Sequence, residues 1–258
     1  MTIFRPCIDI HNAKVKQIVG SSLSDSKETL VTNFESELPP SWYANLYKKD
    51  ALLGGHVIML GPGNEHAAKE ALAAYPNALQ VGGGIHLSNA IDFLEAGASH
   101  VIVTSWIFQD GRLDMDKVQA ISDLVGKSRL VLDLSCKRDK DGWVVAIHQW
   151  QTRTSTEISK ETLEELGKYC NEFLIHAADV EGKQGGMDLD LIAFLAENSP
   201  IPVTYAGGAQ SVEDLELCKK ISKSKVDLTI GSALDIFGGK GAKYSDCVQF
   251  NKNQTKID

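Results

Sequence analysis

The chain repeats itself at half its length. Cys7-Ile-Asp9-Ile-His11 is matched by Val131-Leu-Asp133-Leu-Ser135, which places the two aspartates 124 positions apart. Gly83-Gly84-Ile85 is matched by Gly207-Gly208-Ala209 at the same offset. Val101-Ile-Val-Thr104-Ser105 is matched by Leu228-Thr-Ile-Gly231-Ser232 at an offset of 127. Three features in one order at nearly one spacing imply two similar halves, about 1–125 and 126–258. Within them, short β-branched runs alternate with longer amphipathic stretches, as βα units on a parallel sheet require.

The strand-like runs are Pro6–Ile10, Val15–Val19, His56–Leu60, Leu79–Gly82, His100–Thr104, Leu130–Leu134, Phe173–His176, Pro202–Tyr205 and Val226–Ile230. Helix-like stretches include Glu65–Tyr75, Ser88–Ala96 and Ser159–Cys170, and Ser211 with Asp214 has the spacing of a capping box. Two four-strand halves make an α/β fold, one (β/α)8 barrel over 1–258. The length of 258 residues suits a barrel, which typically takes roughly 250. Two connections are long, Gly20 to Pro40 and Ser135 to Glu157, and read as lid loops. The tail from Asp246 to Asp258 reads as a surface helix with a frayed end.

Composition removes several function classes. The net charge of −8 disfavours nucleic acid, whose backbone is held by Lys and Arg clusters; a small phosphorylated ligand remains compatible, because backbone amides hold phosphate locally. Five scattered cysteines point to reduced thiols rather than a disulfide framework. The N-terminus lacks the basic and apolar stretches of a secretory signal, and no apolar run is long enough to span a bilayer. The expectation is a cytoplasmic protein that works as a monomer on a small molecule.

Active sites of such barrels lie at the C-terminal ends of the strands. Asp9 and Asp133 are carboxylates inside apolar strand runs, where burial is costly unless the group is paired or useful. Either alone could be a structural cap or a lysine partner; their equivalence in the repeat favours a general acid and a general base. Gly83, Gly84, Gly207 and Gly208 let backbone amides approach an anion, while Thr104, Ser105, Gly231 and Ser232 add hydroxyl and amide donors. Tight turns also explain single glycine clusters. As a symmetric set they read as two phosphate sites, so a substrate with a phosphate at each end would lie over both aspartates. Trp150 either stacks on a planar ligand or packs its own loop, and Trp106 reads as support for the phosphate loop. His176 and Asp179 either face the site or form a structural polar pair. The seven histidines show no metal-ligand spacing, so no metal and no cofactor are expected.

The motifs Cys-Ile-Asp9-Ile-His, Lys-Gln-Ile-Val-Gly20, Gln-Val-Gly-Gly-Gly84-Ile, Val-Thr104-Ser-Trp, Val-Leu-Asp133-Leu-Ser-Cys, Trp150-Gln-Thr, Ile-His-Ala-Ala-Asp179-Val-Glu-Gly, Tyr-Ala-Gly-Gly208-Ala and Gly231-Ser-Ala-Leu-Asp-Ile-Phe-Gly-Gly run through nearly the whole chain. It thereby resembles the phosphoribosylformimino-5-aminoimidazole carboxamide ribotide isomerases of histidine biosynthesis, in their fungal branch. The resemblance implies an Amadori rearrangement of a bis-phosphorylated aminoaldose to an aminoketose (ProFAR to PRFAR), with no cofactor or metal. It also implies Asp9 as the base at C2 of the ribose and Asp133 as the acid at the ring oxygen.

The bacterial pattern is not fully kept. Ala178-Asp179-Val-Glu-Gly stands where a supporting threonine is usual, His86 where an arginine is, and Leu60-Gly-Pro-Gly-Asn64 where an acidic motif is. The sister barrel that forms the cyclase subunit of imidazole glycerol phosphate synthase shares the repeat and both aspartates; the Trp150-Gln-Thr and Ala-Ala-Asp-Val-Glu-Gly segments favour the isomerase. A non-catalytic phosphate-ligand binder on the same fold is the reading from another class.

Overall fold

Pro6 determines how the first strand is used. Without an N–H it cannot continue a ladder, and it splits β1 into Phe4–Arg5 and Cys7–His11. The first piece pairs in parallel with the last barrel strand, Phe4 opposite Leu228. The second pairs in parallel with the next strand in sequence, Cys7 opposite His56. One strand thus joins both ends of the sheet and closes the barrel. The computed structural model describes residues 1–18, 32–140, 142–148, 150–180 and 185–254.

The remaining barrel strands are β2 (His56–Met59), β3 (Gln80–Gly82), β4 (His100–Val103), β5 (Leu130–Asp133), β6 (Glu172–His176), β7 (Val203–Ala206) and β8 (Val226–Thr229). Each pairs in parallel with its neighbour. The matched sequence features fall at corresponding places: Asp9 on β1 and Asp133 on β5, Gly83 after β3 and Gly207 after β7, Ser105 after β4 and Ser232 after β8.

Side chains two residues apart on a strand share a face, and this stacks the barrel interior in layers. Ile58, Ile102, Val131 and Leu174 form an apolar middle layer. Two residues back from Leu174 is Glu172, which accepts from Gln80 Nε2 at 2.9 Å and Thr204 Oγ1 at 2.6 Å. Beside it Arg5 pairs with Asp227 at 2.8 Å. Two residues forward from Val131 and Leu174 are Asp133 and His176. The barrel therefore has a satisfied polar floor, an apolar waist and a polar mouth.

Outside the strands lie α1 (Pro40–Lys49), α2 (Glu65–Ala74), α3 (Ala90–Glu95), α4 (Met115–Val125), α5 (Lys160–Leu166), α6 (Leu189–Asn198), α7 (Val212–Ile221) and α8 (Tyr244–Gln254). The capping box at Ser211 and Asp214 is present. Three sequence expectations need correction. α5 stops at Leu166 rather than Cys170, because Lys168 N and Tyr169 N turn to the carbonyls three residues back, Glu165 O at 3.2 Å and Leu166 O at 3.0 Å, instead of four. α3 starts after Asn89, not Ser88. Asn89 binds the preceding loop instead of the helix, accepting from His86 N and donating to Gly84 O, both at 2.9 Å.

The third correction concerns the tail. α8 is no mere surface helix: it buries Tyr244, Cys247, Val248 and Phe250. Asn251 grips the Phe4 backbone in both directions, at 2.7 and 2.9 Å. Residues 255–258 lie outside the described residues. So does most of the first long connection, 19–31, although Thr32–Glu35 returns antiparallel to Lys14–Ile18.

Candidate active site

The second long connection is not an open loop. Residues Cys136–Asp139, Gly142–Ile147 and Thr152–Glu157 form a three-stranded antiparallel sheet standing over the barrel mouth. Val144 through Ile147 are buried, which ties this sheet to the core. Its far side is pinned by Asp188, at the start of α6. The Asp188 carboxylate caps Leu191 N at 3.1 Å and accepts from Trp143 Nε1 at 2.9 Å and Arg138 Nη2 at 2.7 Å.

Asp188 gave no signal in the sequence, because its partners lie more than forty residues away in the lid. Asp188→Ala is expected to cost about 1 kcal/mol through the lost cap and to loosen the lid that carries Trp150. Substrate KM should then rise more than kcat falls, measured by steady-state kinetics beside a thermal melt.

Under this lid lies a cavity of about 560 Å³, bordered by both Asp9 and Asp133. Gly83, Gly84, Thr104, Ser105, Trp106, Trp150, His86 and His176 border it as well. Gly83 has φ +90°, and a Cβ there would sit 2.0 Å from the Met59 carbonyl oxygen. Only glycine fits that corner. Trp150 places its ring 6.0 Å from that of His176, so it faces the cavity rather than only packing its loop. Trp106 does both, bordering the cavity and packing on the core.

A second, smaller space of about 30 Å³ adjoins on the other side. Gly207, Gly208, Gly231 and Ser232 border it, and Asp9 and His176 are common to both spaces. Gly208 has φ +76°, and a Cβ there would lie 2.1 Å from the Gly186 carbonyl oxygen. Gln17 fills part of this side: a Cβ on Gly231 would meet its Oε1 at 2.7 Å. The acid–base, stacking and phosphate candidates read from the sequence thus gather at one mouth, split between two adjoining spaces, whereas Asp179 borders neither.

The hydrogen bonds refine individual assignments. Thr104 directs its hydroxyl at Asp133 Oδ2, at 3.3 Å, and Ser135 donates to Asp133 Oδ1 at 2.8 Å. Ser105 Oγ accepts from His148 N of the lid at 3.1 Å. Thr104 thus spends its hydroxyl proton on a carboxylate, whereas Ser105 only accepts from the lid and keeps its own proton to donate. Asp9 accepts from Gln17 Nε2 at 3.1 Å.

His176 Nδ1 lies 3.5 Å from Asp133 Oδ1, whereas Asp179 turns away and accepts from Arg138 N at 2.8 Å. The pair splits, one facing the site and one bracing the lid. Beneath them His56 is buried, with its pKa pushed down to about 3 by desolvation and then by His176. It is a neutral imidazole at any working pH.

Ser135 was legible in principle, two residues beyond Asp133 on the same face. Gln17 and His56 were not, because they reach the site through strand pairing. Among the described residues no lysine or arginine borders either space.

A family model described as histidine biosynthesis protein matches residues 3–240. A protein of Yarrowia lipolytica is 53% identical over 99% of this chain and 100% of its own length. One of Neurospora crassa is 54% identical over 98% of this chain and 100% of its own. Both are named as the isomerase of 1-(5-phosphoribosyl)-5-((5-phosphoribosylamino)methylideneamino)imidazole-4-carboxamide. A chloroplastic isomerase of Medicago truncatula with the same substrate name is 50% identical over 98% of this chain and 83% of its own length. With its (β/α)8 barrel matched almost end to end, the chain belongs to the histidine biosynthesis protein family.

Proposed function

We propose that the protein is an aldose–ketose isomerase that carries out the Amadori rearrangement of ProFAR to PRFAR in histidine biosynthesis. The observation that carries this reading is that Asp9 and Asp133 open onto one cavity, with a glycine corner on either side. Asp133 gives its proton to the ribose ring oxygen, the bond from that oxygen to C1 breaks, and an imine forms at C1. Asp9 removes the proton from C2, and the resulting enolamine tautomerises to the aminoketose. Two carboxyl groups suffice for these transfers, since one must donate and the other accept.

Gly83, Gly84 and Ser105 would hold one phosphate and Gly207, Gly208, Gly231 and Ser232 the other. Trp150 would stack on the imidazole, Thr104 and Ser135 would orient Asp133, and His86 would take the place of the bacterial arginine. The two matched halves are read as duplicated half-barrels, and the enzyme as a cytoplasmic monomer needing no cofactor. Among the described residues no helix is long and apolar enough to cross a membrane.

The decisive assay offers the purified protein the aminoaldose, without ammonia or a glutaminase, and follows ketose formation. Product is expected at an enzymatic rate. Its absence would overturn this reading, and turnover of the ketose in the presence of ammonia would replace it with the cyclase.

A further inference from the structure

The small space beneath the second glycine corner is bordered by three side chains of different chemistry. Cys7 Sγ, a carboxylate oxygen of Asp9 and a ring nitrogen of His56 lie within 4.8 Å of one another. Arg5, Cys7 and Asp9 alternate along β1 and so share its inner face, and the register puts Cys7 opposite His56. We propose that this trio is a binding site for a divalent cation of zinc's type, and that occupancy switches the enzyme off by engaging Asp9.

The donor set fits such an ion. Zinc takes thiolate, imidazole and carboxylate ligands at about 2.0–2.3 Å in a tetrahedron, which sets its ligand atoms roughly 3–4 Å apart. Side-chain adjustments of under about 1 Å bring the three atoms to that spacing. The space of about 30 Å³ exceeds the ~10–15 Å³ that a cavity needs to hold one water. An ion takes this space, and the volume vacated by the Gln17 amide takes its water.

The focus of the site already holds a positive partial charge. Gln17 Nε2 lies 3.1 Å from Asp9 Oδ2 and 3.8 Å from Cys7 Sγ. Its amide hydrogens occupy the point where the two acceptors converge, and a cation would replace them as the glutamine side chain swings aside. A second observation also points to a missing ligand. Thr229 is only 6% exposed, borders the same space, and its hydroxyl has no hydrogen-bond partner among the described residues. A water filling the fourth position on the metal would give that hydroxyl its partner. On binding, the Cys7 S–H bond breaks, the thiolate joins the metal and the proton leaves to solvent.

Metal binding rests on the geometry alone, whereas loss of activity rests also on Asp9 being the base. Metal-free protein titrated with Co²⁺ separates the two. One equivalent is expected to give the near-ultraviolet charge-transfer band of a cobalt–thiolate bond, abolished by Zn²⁺ competition and by Cys7→Ser. Cys136→Ser, which alters a buried thiol outside this space, should keep the band. Zn²⁺ should inhibit turnover, a chelator should restore it, and Cys7→Ser should need at least about a hundredfold more Zn²⁺, since loss of even an outer-shell partner costs up to that much. No band, or equal zinc sensitivity in Cys7→Ser, overturns the site. A Cys7-dependent band with undiminished turnover at saturating metal keeps the site, but overturns the switch and, with it, the assignment of Asp9 as base.

Discussion

Asp9→Asn and Asp133→Asn should each lower kcat by about a hundredfold to ten-thousandfold, the usual contribution of a positioned acid or base. Substrate affinity should hardly change, because the glycine corners and Trp150 are untouched. The substitution is nearly isosteric, and the local bonds can survive it. At position 9 the new amide oxygen still accepts from Gln17 Nε2, now 3.1 Å from the carboxylate. At position 133 an amide oxygen still accepts from Ser135, now 2.8 Å away. The Thr104 hydroxyl, a donor to Oδ2 in the native site, can rotate and accept from the new amide.

What disappears is the capacity to take or give a proton. Steady-state kcat, a calorimetric Kd and a melting curve together isolate that loss. Wild-type turnover in either variant would remove that aspartate from the chemistry. A melting temperature many degrees lower would mean that the side chain supports the mouth rather than the reaction.

The fold and the centre of the site were legible because they are encoded locally and twice. Asp9, Asp133 and the glycine pairs each stand at the end of an apolar run, and the common offset identifies them as counterparts. The contacts that refine the site are of another kind. Gln17 reaches Asp9 from an antiparallel strand outside the barrel, and His56 reaches Cys7 only through strand register. Asp188 binds lid residues that come far earlier in the chain.

Nothing in their local sequence separates these three from an ordinary surface glutamine, a core histidine or a helix cap. The lid was misread for a related reason. A polar, charged stretch such as Lys137-Arg-Asp-Lys reads as loop, yet the apolar Val144–Ile147 beside it supplies enough burial to fold the segment as a sheet. The tail was misread because its buried residues Cys247, Val248 and Phe250 are diluted among lysines and asparagines.

The barrel floor offers the second large effect, on stability rather than rate. Arg5 is held in a mostly buried pair with Asp227 at 2.8 Å, and its guanidinium also feels the charge of Glu172. Burial raises the Asp227 carboxyl above its ordinary range, while the Arg5 charge pulls it back down. Arg5→Met removes the cation and leaves the acids in place. Stranding a buried charge in this way typically costs about 3–5 kcal/mol, on the order of 10 °C in melting temperature for a chain of this size.

The deficit should depend on pH in a definite direction. Without Arg5 the folded Asp227 pKa climbs further above its unfolded value of ~4. A carboxyl shifted upward in the folded state lowers stability as pH rises from the unfolded pKa through the folded one. Below the unfolded pKa it is neutral in both states and costs nothing. The melting-temperature gap between variant and wild type should therefore be wide at neutral pH and narrow as the solution is acidified toward that value. Asp227→Asn in the Arg5→Met background should close much of the gap at neutral pH, since it removes the stranded charge. A gap that stays constant with pH, or that the second substitution leaves unchanged, would show that Arg5 acts through packing alone.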